Sequence, residues 1–400
     1  MYPTPRTATL LAALSTAGLL AACGGGGGGS QGTGTLGVSM TDAPACGYDA
    51  VNVTVRAVRV HQAGNAGTNE GGWAEIVLPA PKKINLLDLT NGVLEDLGQT
   101  TLPAGRYTQL RLLLDPNNGN ARANSVVPTT APATEISLDT PSAVQSGIKL
   151  NGQFDVVAGQ RTDLVLDFDA CKSVVTKGNG GYALKPVISV IPTTLNGIDG
   201  YVDAALLPSN VLVSAQQNGE VIRTTVPDAA GKFTLARLVP GNYDVVITAD
   251  SRATAVIGRV PVASESSRVN LSTSAAPIAL QASATRSISG TASLTPSSTT
   301  EVAYVAAQQT FAAGPKVTVK YRGADIANGE YTLLNLPIAA PQYGVYSTTL
   351  PITLTTRTDT TPGTAKYQVT AAATGYAPKT IASVDLTTTN QTGVDFALAP

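Results

Sequence analysis

The stretch VNVTVRAVRV, residues 51–60, alternates apolar and polar residues in the way that is typical of a β-strand with one buried face. The alternation does not keep its phase, because the valines lie at positions 51, 53, 55, 58 and 60. A slip of one residue would turn the buried face of the strand towards solvent. The sequence therefore predicts a long strand with a β-bulge near Ala57.

The composition of the 400 residues extends this prediction to the whole chain. Only 13% of the residues are charged, about half the usual share, and β-branched residues are abundant, which favours strands over surface helices. The formal net charge is -1, or -2 once the single positive charge of Arg6 is removed with a leader, so no basic surface attracts nucleic acid. At roughly 100–200 residues per domain, we expect two to four all-β domains and no nucleic-acid partner.

The N-terminus has the pattern of a secretory signal. An apolar run from Ala8 to Leu20 is too short to cross a membrane, and small residues follow it. The segment Leu20-Ala21-Ala22-Cys23 resembles the lipobox of bacterial lipoproteins, which implies cleavage before Cys23 and its acylation. We predict a lipoprotein signal peptide over residues 1–22 and a lipidated, Gly-rich tether over 23–34, with a span of about 18 Å. The alternative is an ordinary secreted protein in which Cys23 merely lies near the cleavage site.

Five separated motifs, in this order, resemble the bacterial lipoprotein family called domain of unknown function 4382. They are Thr41-Asp42-Ala43-Pro44, residues 86–92 (LLDLTNG), residues 102–107 (LPAGRY), Asp167-Phe168-Asp169 and residues 184–188 (LKPVI). The resemblance implies a secreted β-sandwich over residues 35–192 that has no assigned activity and is joined to other β modules.

Two further features of this domain are predicted from the residues alone. Leucines at 110, 112 and 114 alternate along one strand and are expected to share its buried face. The segment 116–132 is rich in Pro, Asn and Thr, which predicts a loop.

A shorter unit occurs twice in the remaining chain, as GKFTLARLVPGNY at 231–243 and as GEYTLLNLP at 329–337. Gly231 and Gly329 permit a tight turn into a strand. The aromatic residues predicted to fill the cores are Phe233, Tyr243, Tyr331 and Tyr367. The unit resembles carboxypeptidase regulatory-like domains, which implies two transthyretin-like or starch-binding-like β-sandwiches, over 197–282 and 286–400. The second copy departs from the pattern, because residues 338–365 intervene as a predicted extra hairpin.

Cys46 and Cys171 remain once Cys23 carries lipid. In an oxidising compartment they are expected to form a disulfide that joins the first and last parts of the first domain. Two unpaired buried thiols are the alternative. The sequence has no CxxC motif and no cluster of Cys and His, so zinc is not predicted.

Few residues suggest chemistry. His61 is the only histidine, and a histidine-dependent enzyme would have to use it, but a surface histidine at a strand end is the simpler interpretation. Asp167 and Asp169 share one face of a strand and could bind calcium or act as an acid–base pair. We favour solvated carboxylates or a salt bridge to Arg111 or Lys172, because there is no calcium-loop motif. We therefore predict no enzyme, and no catalytic, cofactor-binding or metal-binding residue.

The function that this pattern favours is a non-catalytic structural or binding module, anchored to the lipid membrane of the bacterial envelope through Cys23. Gly24 is not the Asp that retains many such lipoproteins in the inner membrane, which favours the outer membrane. The partner would be a glycan or an envelope protein. A carbohydrate-binding protein is the alternative, but sugar platforms need exposed aromatic rings, and the analogy between folds is a weak argument. The candidate rings are Trp73, Tyr304, Tyr343, Tyr346 and Tyr376.

Overall fold

The computed structural model describes residues 32–43, 47–119, 121–140, 146–150, 152–178 and 180–400, and Gly32–Pro400 form one compact unit. The predicted signal peptide, Cys23, almost all of the tether and Cys46 lie outside the described residues. Strands in several separate sheets make up nearly all of the regular structure, which confirms the all-β sandwich prediction. Within the described residues, no helix is long and apolar enough to cross a membrane.

The first domain packs two sheets against each other. Its strands are β1 (Thr33–Ala43), β2 (Tyr48–His61), β3 (Ala74–Asn85), β4 (Glu95–Pro103), β5 (Gly105–Tyr107), β6 (Gln109–Leu114), β7 (Ser125–Pro128), β8 (Ile136–Asp139), β9 (Ile148–Leu150), β10 (Phe154–Val156), β11 (Arg161–Asp169), β12 (Val174–Thr176), β13 (Tyr182–Leu184) and β14 (Ile188–Pro192). One sheet has the order β14-β11-β1-β4 and the other β12-β13-β8-β7-β2-β6-β9, with β3 beside β2; β5 and β10 form a separate pair. A 3-10 helix (Leu86–Leu89) follows β3, and the helix α1 (Ala170–Ser173) follows β11.

The predicted β-bulge lies in β2. The pairing of β2 shifts register between Val55 and Ala57 against both β3 and β6. All five valines of the stretch are at most 2% exposed. The bulge therefore keeps one face of the strand in the core although the sequence pattern changes phase, as predicted.

The structure confirms one prediction for the segments beside β2 and corrects another. The leucines at 110, 112 and 114 of β6 are fully buried, as predicted. The segment 116–132 is not entirely a loop, because it contains β7, which pairs with β2. Val126 of β7 is fully buried opposite Val51, and this burial outweighs the turn-forming residues on either side.

The second domain also has two sheets. Its strands are β15 (Gly197–Tyr201), β16 (Leu212–Gln217), β17 (Glu220–Thr225), β18 (Lys232–Ala236), β19 (Gly241–Thr248), β20 (Ala255–Val262) and β21 (Arg268–Asn270), with a 3-10 helix at Ala204–Ser209. One sheet is β18-β15-β21, and the other begins β17-β16-β19-β20. Gly231 has a φ of 76°, and a Cβ atom there would lie 2.3 Å from the carbonyl oxygen of Val202, so this turn requires glycine. Phe233 and Tyr243 are buried in the core, as predicted.

The third domain repeats this plan. Its strands are β22 (Thr285–Leu294), β23 (Tyr304–Phe311), β24 (Lys316–Gly323), β25 (Glu330–Pro337), β26 (Gln342–Val345), β27 (Thr355–Thr356), β28 (Thr360–Thr361), β29 (Lys366–Ala372), β30 (Lys379–Asp385) and β31 (Phe396–Leu398). Its sheets are β25-β22-β31 and β24-β23-β29-β30, with β28 beside β23. Tyr331 and Tyr367 are buried, as predicted.

The insertion at 338–365 connects the second and third domains. It contains a hairpin, β26–β27, but β26 pairs in parallel with β20 of the second domain, from Ala255–Gln342 to Gly258–Val345. The sheet of the second domain therefore continues as β17-β16-β19-β20-β26-β27. The sequence predicts separate sandwiches here, and the structure instead shows one sheet that is built from both. The boundaries predicted at 192–197 and 282–286 stay predictions.

Candidate functional site

Asp167 lies where the first domain meets the second. β1 and β11 are parallel neighbours, and Thr41 at the end of β1 is opposite Asp167. The carboxylate of Asp167 forms an ion pair with Arg223 of β17, and both side chains are only 9% exposed. The expectation that Asp167 is solvated, or bound to Arg111 or Lys172, is therefore wrong. The physical reason is that β11 lies inside its sheet and the second domain covers this end of it.

Asp169 follows the expected pattern more closely. Its carboxylate forms an ion pair with Lys172 at 3.2 Å and accepts a hydrogen bond from the backbone N–H of Lys172 at 3.0 Å, which caps α1. Asp167 and Asp169 thus have different partners and different roles. No group of three or more potential metal-binding side chains occurs in the part of the chain that the structure describes.

The electrostatics of Asp167 reflect its burial. Loss of water raises the pKa of Asp167 to about 6, although the nearby charges of Arg223 and Arg237 lower it. Burial also lowers the pKa of Arg237, and the positive charge of Arg223 adds to that effect. The guanidinium of Arg237 donates a hydrogen bond to the carbonyl oxygen of Gly92 at 3.0 Å. Two arginines of the second domain therefore meet a carboxylate and a carbonyl of the first.

Asn91 makes a second link between these two domains. It lies in a left-handed turn with φ of 56°. Its side-chain oxygen accepts hydrogen bonds from the hydroxyl of Thr225 at 2.8 Å and the backbone N–H of Thr234 at 3.1 Å, and its amide donates to the carbonyl of Val226 at 2.7 Å. The sequence marks the Asn-Gly pair only as a family motif. The sequence around Asn91 does not indicate that it joins domains, because all its partners lie more than 130 residues away.

The space within this junction is very small. A cavity of about 10 Å³ lies among the side chains of the two domains, including Asp167, Arg223 and Arg237. Such a volume holds about one water molecule. The junction can therefore fix the orientation of domains, but this cavity has no room for a substrate.

The third domain contacts the first directly. The hydroxyl of Tyr304 donates to the carbonyl oxygen of Lys172 at 2.9 Å. Lys185 and Glu301 form an ion pair at 2.6 Å, and the backbone N–H of Gly178 donates to Asp325 at 2.6 Å. These contacts join domains that are not consecutive in the sequence.

The second and third domains meet through hydrogen bonds of a glutamine side chain, an ion pair between Lys320 and Asp250 at 3.7 Å, strand pairing and one aromatic ring. The side chain of Gln216 both donates to and accepts from the backbone of Thr318, at 2.8 Å each. The ring of Tyr343 in β26 packs over Gly258, where a Cβ atom would come within 2.7 Å of its hydroxyl oxygen, and stacks on Phe311 at 4.9 Å. Each pair of domains is thus in contact, and the three form a closed triangle rather than a string.

His61 lies at the end of β2, as predicted, but it is buried and not a surface residue. Its Nδ1 accepts a hydrogen bond from the N–H of Ala63 at 2.9 Å, so the proton is on Nε2, which donates to the carbonyl of Gly71 at 3.0 Å. The ring packs against Trp73, with centroids 5.1 Å apart. Both nitrogens are therefore occupied in holding the loop that follows β2.

Arg111 also supports this loop instead of pairing with an aspartate. Its guanidinium donates to the carbonyls of Ala66 and Ser146, at 2.8 and 2.9 Å. It lies 4.7 Å from the ring centroid of Trp73, beside Arg59 at 4.8 Å. The only tryptophan is consequently covered in part by two arginines and does not form an open platform.

Of the four candidate tyrosine rings, two lie in contacts between domains and two are half-buried. Tyr343 is only 6% exposed, and Tyr304 lies against the first domain. Tyr346 packs against the core of the second domain, and the hydroxyl of Tyr376 donates to the carbonyl of Pro296 at 2.6 Å. The contacts between domains account for two of these differences, and they could not be inferred from local sequence.

Comparison with known families supports one predicted resemblance. Residues 33–186 match the family model described as domain of unknown function (DUF4382), which agrees with the resemblance predicted for the first domain. That family has no assigned function. The carboxypeptidase regulatory-like resemblance of the other two domains stays a prediction. None of the curated proteins matches the chain.

Some solved structures are similar in part. A chain in a cohesin–X-dockerin complex from Acetivibrio cellulolyticus matches with 26% identity and a TM-score of 0.19, over 22% of this chain and 58% of that one, so less than two thirds of that chain is spanned. The TIE protein of Bacillus anthracis matches with 10% identity, a TM-score of 0.16, and coverage of 92% and 50%. The major pilin SpaA of Corynebacterium diphtheriae matches with 12% identity, a TM-score of 0.20, and coverage of 92% and 100%. These TM-scores are too low to support an argument about function.

Proposed function

We propose that this protein is a non-catalytic lipoprotein of the bacterial envelope, in which the first domain separates a lipid anchor at Cys23 from a rigid head of the second and third domains. The observation that carries this proposal is the direction of β1. The strand begins at Thr33, directly after the predicted tether, and Thr41 near its other end lines the junction with the second domain. Its 11 residues span roughly 35 Å at about 3.3 Å per residue.

The rigid head is supported by the closed triangle of domains. Any two domains are also connected through the third, so the loss of one contact leaves them joined by the other two. Such a body suits the display of a surface to another envelope component. The partner in this proposal is an envelope protein that contacts the head, whereas a glycan partner belongs to the alternative function below.

Substitution of the anchor residue tests this proposal. We expect Cys23→Ala to move the protein from the membrane to the soluble fraction and to abolish labelling by radioactive palmitate, because the thiol is the site of acylation. The matched control is Cys46→Ala, which should remain in the membrane fraction and remain labelled. Continued palmitate labelling of Cys23→Ala would disprove the proposal.

The outer membrane is the proposed location because Gly24 follows the anchor residue. Separation of inner and outer membranes by density gradient should place the wild-type protein with the outer membrane. We expect Gly24→Asp to shift it to the inner membrane. A wild-type protein that is found with the inner membrane would contradict this part of the proposal.

A disulfide between Cys46 and Cys171 is part of the same proposal. Ala43 of β1 is opposite Asp169 of the parallel strand β11, so the chain leaves neighbouring strands on the same side shortly before each cysteine. Cys171 is 7% exposed in α1. Thiol titration of the denatured, acylated protein should find no free thiol, whereas two free thiols would disprove the bond. Reduction is expected to lower the free energy of unfolding by about 2–4 kcal/mol.

Carbohydrate binding remains the alternative function, with less support. Two arginines cover part of Trp73 and Tyr343 is buried, which leaves the half-buried Tyr346 and Tyr376 as the remaining candidate rings of a sugar platform. Retention on a panel of immobilised glycans separates the two functions. Specific retention would favour the alternative, and loss of that retention in Trp73→Ala would identify the platform.

A further inference from the structure

The end of the first domain at which the chain enters is formed by three short segments. They are Gly32–Thr33, residues 103–105 and Val157–Gln160, and none of them contains a charged residue. Backbone hydrogen bonds join them, because Ala104 donates to the carbonyl of Gly32 at 2.8 Å and Gly159 donates to that of Thr33 at 2.9 Å. They therefore form one continuous surface around the entry point of the chain, which we call the entry tip.

The entry tip exposes apolar side chains. Val157 is 48% exposed, and Pro103 and Ala158 are also exposed. Exposed arginines stand directly behind the tip, at Arg106 and Arg161, and carboxylates balance them, because Asp155 is opposite Arg106 and Asp163 forms an ion pair with Arg161 at 2.8 Å. An exposed apolar surface that contains no charged residue favours contact with the boundary between headgroups and acyl chains of a membrane.

The length of the preceding chain limits how far this tip can be from the lipid. Cys23 and Gly32 are nine residues apart, and a Gly-rich segment of this length has a typical span of about 17 Å. Other exposed apolar residues lie away from the entry point of the chain, at Val77 (63%) in β3, Leu195 (79%) after β14 and Val239 (67%) in the second domain. The entry tip is the described surface that an acylated Cys23 would hold beside a membrane.

We propose that the entry tip rests on the lipid surface, with Val157 at the level of the headgroups. This contact orients the protein so that β1 points away from the membrane and the head faces outwards. The inference rests on the lipid anchor of the proposed function and deepens it. One exposed valine is too little apolar surface to hold the protein on a membrane, so the contact sets orientation while the acyl chains provide the attachment.

Fluorescence quenching tests the orientation. Acylated protein is reconstituted with vesicles of phosphatidylethanolamine and phosphatidylglycerol that contain a headgroup-linked quencher. A thiol-reactive fluorophore is attached at Val157→Cys or, as the matched control, at Val239→Cys, since both side chains are exposed. Quenching is expected to be several times stronger at position 157 than at position 239. Val157→Asp should weaken the quenching of a fluorophore at Ala158→Cys, whereas Val239→Asp should not.

The outcomes distinguish this inference from the proposed function. Equal quenching at 157 and 239 in protein that floats with the vesicles overturns the entry-tip contact and leaves the anchor intact. Protein that does not float with the vesicles overturns the anchor and the contact together. Stronger quenching at 239 than at 157 would show that the head, and not the entry tip, faces the lipid.

Discussion

The junction between the first and second domains differs in kind from the junction between the second and third. The former depends on a buried ion pair, Asp167 with Arg223, and on the polar side chain of Asn91. The latter depends on strand pairing between β20 and β26 and on the ring of Tyr343 between Gly258 and Phe311. The first junction contains an ion pair whose side chains are only 9% exposed. The second continues a sheet and contains a looser, more exposed ion pair, Lys320 with Asp250.

This difference has consequences for stability and specificity. A buried ion pair contributes little net free energy, because desolvation offsets the attraction, but the loss of one partner is costly. Strand pairing and aromatic packing contribute directly through hydrogen bonds and buried apolar area. We therefore expect the first junction to select one orientation of the domains and the second to supply more of the stability.

Removal of one charge from the first junction should have the largest effect. Arg223→Ala leaves Asp167 buried without its partner, and we expect a loss of about 3–5 kcal/mol in the free energy of unfolding. Urea denaturation followed by the fluorescence of Trp73 measures this loss. The control Lys366→Ala breaks an exposed pair with Asp385, and its effect on the free energy of unfolding should be much smaller, because solvent screens that pair.

A double substitution sharpens this test. Asp167→Asn combined with Arg223→Met removes both charges and should recover most of the stability that Arg223→Ala loses. If Arg223→Ala lowered the free energy of unfolding no more than Lys366→Ala does, the ion pair would not hold the first junction together.

Removal of the ring from the second junction should have the next largest effect. Tyr343→Ala takes away the packing between Gly258 and Phe311, and we expect a loss of about 3 kcal/mol. Hydrogen exchange should become faster in β20 and β26 but remain unchanged around Asn91. The control Tyr343→Phe keeps the ring and should behave like the wild type. Equal acceleration at both junctions would show that they are not separate.

Much of each domain could be predicted from the sequence, because local patterns determine it. The phase change near Ala57 predicts the bulge, and the repeated aromatic positions predict core residues such as Phe233 and Tyr367. These features depend on the two-residue period of strands and on the residues of tight turns. Both can be recognised within a short stretch of sequence.

The junctions could not be predicted in the same way. The sequence around Asp167 alternates as it would around a strand residue that faces solvent. Its partner Arg223 lies 56 positions further along the chain. The hairpin at 338–365 has a recognisable pattern, but nothing in that pattern shows that β26 pairs with β20 of another domain. Contacts between distant segments depend on how whole domains meet, and a single sequence carries no local signal for them.

The pH dependence of the free energy of unfolding tests the difference between the junctions with the smallest expected effect. Burial raises the pKa of Asp167 from an ordinary 3.8 to about 6. The folded protein therefore holds this proton up to a higher pH than the unfolded chain does, so the contribution of Asp167 to stability is fully present below about pH 4 and is lost as the pH rises through about 6. For one proton the slope is at most about 1.4 kcal/mol per pH unit.

Comparison of the wild type with Asp167→Asn isolates this contribution, because other titrating groups are common to both proteins. The difference in their free energies of unfolding should fall between pH 4 and pH 7, and hydrogen exchange should locate the change around Asn91 and Thr225 rather than in β26. Asp169 of the same strand and Arg223 and Arg237 of the second domain act on the carboxyl group of Asp167, and together they set the pH of its midpoint. A difference that rises with pH would mean that the attraction of Arg223 outweighs desolvation, so that the charged form of Asp167 is the one that joins the domains.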